Sequence, residues 1–270
     1  RAIHPTGIIY HDPLSPMIQH LKESTFAANH VFWKSWKILR SRYFSILGLC
    51  LSLFITSNTS GILAFYLQGF NPVLSAFMAF LFVVAYFGIQ LTLFKFILRL
   101  IDRQERITLS ETIPGTREML RFFGGMFSVG LLVLLFYLMA SVAGWPFIYW
   151  IGVDKVLQGT YIVSGLLMFY FLIRVAFYPF FIIDKHVGAF ESIRMSIALT
   201  KGNVLKILVI LAFFAILHLL YLYFNYLGYP VVSTVLSMLS SFFVVPLSSV
   251  VIAVAYRDMV RAYKPDETDG

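Results

Sequence analysis

Sulfur and charge are what this 270-residue sequence has least of. Its one cysteine, Cys50, excludes an intramolecular disulfide and any thiolate-held metal cluster within one chain. Charged residues make up 13% of the chain and hydrophobic residues 59%, against about 25% and roughly 45–50% in a soluble globular domain. Water is therefore not its main solvent. Also missing are a phosphate-cradling glycine loop, the zinc-protease pattern His-Glu-x-x-His and paired acidic motifs, so no catalytic residue, metal site or cofactor is expected. No secretory signal pattern precedes the first apolar run, and the first span is expected to direct insertion.

Apolar runs and rings are abundant. A helix crossing about 30 Å of hydrocarbon needs about 20 apolar residues. Six stretches qualify, near 43–68, 72–100, 122–150, 160–183, 204–228 and 231–256. Twenty-eight Phe, fifteen Tyr and four Trp suit both the hydrocarbon and its headgroup boundary. The turns Gln68-Gly69-Phe70-Asn71-Pro72 and Leu227-Gly228-Tyr229-Pro230 are short and read as tight helical hairpins. The expected fold class is all-α: a polytopic membrane bundle of three hairpins forming a single domain over 24–262. An extended segment, 1–23, is expected before it and a polar tail, 263–270, after it.

The net charge of +8 raises the question of nucleic acid, and its distribution answers for membrane. With the N-terminus inside, twenty of the twenty-one Lys and Arg residues fall on the inner side and only Lys155 on the outer. The positive-inside rule then places both termini in the cytoplasm. Three inner segments, roughly 24–42, 108–121 and 187–201, each lead into a hairpin and are expected to lie as helices in the interface. In the third, Phe190, Ile193 and Ile197 share one face while Glu191, Arg194 and Lys201 share another. The first sets Trp33 and Trp36 among Lys34, Lys37 and Arg40, a composition that attracts anionic lipid. Recurrence of these units at about 80 residues suggests an internal threefold repeat.

The stretch Tyr178-Pro179-Phe180-Phe181-Ile182-Ile183-Asp184, then Ala189 to Ser196, then Leu199-Thr200-Lys201-Gly202-Asn203, resembles the signature of the bacterial multi-pass proteins related to the YciC family and to the membrane domain of glycerophosphoryl diester phosphodiesterases. The resemblance covers most of residues 24–262 in architecture. It implies a bacterial inner-membrane location. Members with phosphodiesterase activity carry it in an additional soluble domain, which the short polar tail after the last span is not expected to supply.

Several intramembrane polar residues are candidates for function. Arg174, placed well inside the fourth span, could hold an anionic headgroup, since charge at membrane depth usually faces a partner or a wet cavity. Snorkelling or bonding within the bundle is the alternative. Asn58, within Thr56-Ser57-Asn58-Thr59-Ser60-Gly61, could mark an interrupted helix of the transporter kind, or the run could bond its own helix. Ser237, Ser241 and Ser248 share a face of the sixth span, favouring close packing over a pathway, with a kink expected at Pro246. Gln90, His218 and Asn225 suggest interhelical hydrogen bonds rather than haem or pigment ligation. His4, His11, His20 and His30 lack metal-ligand spacing and read as surface residues. The leading expectation is a non-enzymatic membrane protein acting in envelope organisation or lipid interaction, with anionic lipids as partners through Lys34, Lys37, Arg40, Arg174, Arg194 and Lys201. An accessory subunit of a larger membrane protein complex and a transporter or permease component are the alternatives.

Overall fold

The computed structural model describes residues 26–102 and 107–261, and every regular element among them is helical. A short helix, α1 (Ala28–Ser41), precedes the first hairpin, α2 (Tyr43–Phe70) and α3 (Pro72–Ile101). The second hairpin is α4 (Thr116–Gly144) and α5 (Val153–Val175), followed by α6 (Tyr178–Lys185) and α7 (Ala189–Thr200). The third pairs α8 (Val204–Tyr226) with a last span made of α9 (Pro230–Leu239), a π turn at Ser240–Val244 and α10 (Val245–Arg261). Among the described residues, six helical stretches are long and apolar enough to cross a membrane: Tyr43–Leu67, Pro72–Ile101, Thr116–Trp150, Val153–Lys185, Val204–Tyr226 and Pro230–Val260. The chain is a multi-pass integral membrane protein. The expected segment 1–23, the tail 263–270 and His4, His11 and His20 lie outside the described residues.

The hairpin turns follow from local chemistry. Asn71 Oδ1 accepts from Val73 N at 3.0 Å and Leu74 N at 3.1 Å, capping a helix whose first residue, Pro72, has no N–H to leave orphaned. In the third hairpin Gly228 takes φ 76°, a conformation that costs glycine little, and Tyr229 N reaches back to Phe224 O at 3.0 Å.

Counted from the hairpin tips, about 20 residues cross the hydrocarbon, which carries α3 to Leu91, α5 to Leu172 and the last span to about Ser249. Beyond those points lies nearly all of the buried core: Leu91 to Ile101, Ile173 to Ile183 and Val250 to Val260, joined by α7 and the inner face of α1. This end is a closed cap packed as a soluble protein is. At the other, open end the rings of Trp145, Tyr149, Trp150 and Tyr226 stand exposed, as residues of an interfacial aromatic belt do.

Three expectations need correction. Residues 108–121 form no interfacial helix of their own: a 3-10 turn, Leu109–Thr112, precedes α4, which starts at Thr116 and runs unbroken into the span. The reason is Glu118, whose Oε2 accepts from Gly115 N at 3.0 Å and fixes the helix start six residues before the apolar run. The helix α7 is packed into the cap rather than laid on the surface by an apolar face: Ser192, Ser196 and Thr200 are as fully buried as Leu199, while Phe190 and Arg194 stand exposed on its other side. The run 56–61 does not interrupt α2, because Thr56 donates to Ser52 O at 2.7 Å and Asn58 to Phe54 O at 2.8 Å within the helix. The fourth apolar stretch, Val153–Lys185, begins just after Gly152 at φ 84° and holds Arg174, half-buried, near the end of α5.

Candidate functional site

The cap is held by ion pairs that join the three hairpins. Arg257 of α10 binds Asp184 Oδ1 at the end of α6, at 2.7 Å, and also Asp102 at the end of α3. Tyr256 donates to the other oxygen of Asp184 at 3.1 Å. Lys95 of α3 meets both oxygens of Glu118 at 3.0 and 2.9 Å. None of these pairs was foreseen, although Asp102, Asp184 and Arg257 each stand where an apolar run ends. That position was their one signal in the sequence.

Between α5 and α6 the helix breaks at Ala176 and Phe177. Pro179 causes it, since it lacks the N–H that would continue the ladder and its ring crowds the carbonyl four residues back. The loose backbone groups are taken up by α7: Ser196 Oγ accepts from Phe177 N at 3.1 Å and donates to Arg174 O at 2.9 Å, and Thr200 Oγ1 lies 3.2 Å from the same carbonyl. Pro246 acts likewise in the last span. It removes the donor four residues on from the Phe242 carbonyl, and Tyr43 Oη donates to that oxygen at 2.9 Å. The expected distortion at Pro246 is thus a π turn just before it, with α2 supplying the missing hydrogen bond.

Packed on the cap, α1 buries Val31, Ser35 and Leu39. Lys34 pairs with Asp258 of α10, and His30 Nδ1 stands 3.4 Å from the same carboxylate. The outward face presents a groove of about 950 Å³ lined by Trp33, Lys34, Trp36, Lys37 and Arg40. Lys37 and Arg40 are exposed and make no ion pair among the described residues. Trp36 and Arg40 also border an adjoining pocket of about 260 Å³, whose other walls are Leu39, Tyr43 and Phe243. A cationic groove thus lies beside an apolar sleeve, with Trp36 and Arg40 bordering both.

The structure therefore gathers three of the six expected basic residues, Lys34, Lys37 and Arg40, around one groove and leaves three outside it. Arg174 is half-buried, Arg194 is exposed on α7, and Lys201 is exposed just past its end. Among the polar candidates, Asn225, Ser237 and Ser241 line a second cleft, of about 500 Å³, between α2, α8 and the last span. Asn58 bonds its own helix, Gln90 is half-buried on α3, and the His218 ring lies 5.7 Å from that of Tyr221. No group of three or more His, Cys, Asp or Glu residues able to hold a metal ion occurs among the described residues.

Comparison with family models, curated proteins and solved structures gives no match.

Proposed function

We propose that this protein is a non-enzymatic, lipid-interacting membrane protein of the bacterial inner membrane, with the cap on the cytoplasmic side, and that α1 binds anionic lipid. One observation carries the reading: the groove with exposed cations at Lys37 and Arg40, which make no ion pair among the described residues, lies next to an apolar sleeve, with Trp36 and Arg40 bordering both. A lipid phosphate pairs with the guanidinium and ammonium groups, tryptophan rings suit the headgroup boundary, and the first part of an acyl chain lies against the stacked rings of Tyr43 and Phe243. Each such cation near an anionic surface is worth about 1 kcal/mol. The resemblance of residues 178–203 to the YciC-related proteins supports the location. A structural role in the envelope fits a cap whose buried charges are already paired with one another.

The test uses the protein's own tryptophans. With Trp145 and Trp150 replaced by phenylalanine, Trp33 and Trp36 report on the groove. In nanodiscs, brominated phosphatidylglycerol should quench them more than brominated phosphatidylcholine does. In the Lys37→Ala/Arg40→Ala variant that preference should fall several-fold. Equal quenching by the two lipids in the unsubstituted groove would remove the basis of the proposal.

A further inference from the structure

We propose that the cleft between α2, α8 and the last span binds a neutral lipid bearing a free hydroxyl and ester carbonyls, a diacylglycerol-type molecule. This site is separate from the groove of α1 and does not depend on it. The cleft starts at the open end, where Pro230 begins α9, and extends past Ser237 to Phe242, about 18 Å along the helix at 1.5 Å per residue. It therefore lies within the outer part of the hydrocarbon. No charged side chain lines it, so a phosphate or an ammonium group finds no counter-charge there.

Polar groups from two different helices converge in this cleft without protein partners. The Tyr221 hydroxyl and the Asn225 carboxamide come from α8, and the Ser237 hydroxyl comes from α9. None of the three side chains makes a hydrogen bond among the described residues. Other hydroxyls around them differ: Ser233, Thr234 and Ser241 each donate to a carbonyl of their own helix. The Asn225 amide sits at the rim beside interfacial Tyr226, whereas the Tyr221 and Ser237 hydroxyls, about 7–10 Å deeper at 1.5 Å per residue, must find partners in hydrocarbon or carry the full cost of desolvation. The carboxamide can donate and accept, and each hydroxyl can give one hydrogen and accept another. A glycerolipid's free hydroxyl and two ester carbonyls match that set. Leu51, Phe54 and Met238 form apolar walls for its chains.

The π turn gives the cleft its far boundary. Of two consecutive rings in it, Phe242 faces this cleft while Phe243 faces the sleeve beside α1. The Tyr43 hydrogen bond to the Phe242 carbonyl holds that arrangement.

The full-length protein in nanodiscs is photolabelled with a diazirine-bearing diacylglycerol, and the labelled peptides are mapped. Labelling of α8 and α9 is expected to be competed by unlabelled diacylglycerol and not by triacylglycerol, which lacks the hydroxyl. Asn225→Leu and Ser237→Ala should each cut labelling about two- to tenfold, the range of one net hydrogen bond. If Asn225→Leu does not purify as a monodisperse protein, Tyr221→Phe combined with Ser237→Ala carries the same test. Equal labelling of folded variants, or equal competition by triacylglycerol, overturns the proposal. So does labelling of Ser237→Cys, on a Cys50→Ser background, by a water-soluble maleimide that excess diacylglycerol leaves undiminished, because the cleft would then be a wet pathway.

Discussion

The two ends of this molecule are built by different rules. At the closed end, side chains from all three hairpins and the helices after the second interlock, with Ile97, Phe181, Leu199, Val251 and Tyr256 fully buried and Arg257 bridging two aspartates. At the open end the spans keep their apolar side chains turned outward, as at Phe65, Leu166, Val231 and Val235. The hydrophobic effect holds apolar groups together only where water is the alternative, and lipid tails are as apolar as leucine. The closed end therefore needs a core, and the open end needs only hairpin contacts. Within the second hairpin those contacts are close: a Cβ on Gly144 would stand 3.0 Å from Thr160 Oγ1.

Substitutions sharpen the contrast. The largest effect is expected from Arg257→Leu, which leaves Asp102 and Asp184 without their shared partner in a largely buried site. A loss of about 3–5 kcal/mol is typical when one member of a buried pair is removed. Thermal unfolding followed by size-exclusion chromatography in mild detergent would show it, and an unchanged midpoint would mean the cap is not held in this way. Next is Gly125→Ala in α4, where an added Cβ would come 2.8 Å from the Tyr178 ring. About 1–3 kcal/mol of overpacking is expected, with relief in the Gly125→Ala/Tyr178→Leu double variant.

Ser196→Ala removes a hydroxyl that serves both Phe177 N and Arg174 O at the break between α5 and α6. A loss of about 1–3 kcal/mol is expected for the groups left unsatisfied, and Ser196→Thr should restore part of it. The smallest effect is expected at the other end. Asn58→Leu should change stability by no more than about 0.5 kcal/mol, since the exposed amide bonds only its own helix. A large loss there, measured by the same unfolding assay, would place a tertiary hydrogen bond where the described residues show none.

The membrane half was legible in the sequence and the cap was not. Runs of about 20 apolar residues and the Asn71-Pro72 and Gly228 turns announce spans and hairpins, because they are local. The cap depends on pairs far apart in the chain, such as Arg257 with Asp102, 155 residues away. Window-based reading also cut spans short at charge: Arg117, Glu118 and Arg121 end the apolar run, yet α4 continues straight through them. The reading of α7 failed for a related reason. It weighed Phe190, Ile193 and Ile197 against Glu191, Arg194 and Lys201 and left out Ser192, Ser196 and Thr200, whose hydroxyls bond helix carbonyls and pack as small residues do. On α1 the sequence served better, since Lys34, Lys37 and Arg40 all face one groove.

The most direct test of the two-ended construction is a pair of spin-label distance distributions in lipid nanodiscs, on a Cys50→Ser background. One pair, at Lys37 and Lys201, spans the closed end; the other, at Tyr149 and Tyr229, spans two hairpin tips at the open end. The account expects a narrow distribution for the first and a clearly broader one for the second. Equally narrow distributions would contradict it, because the open end would then be packed as firmly as the cap.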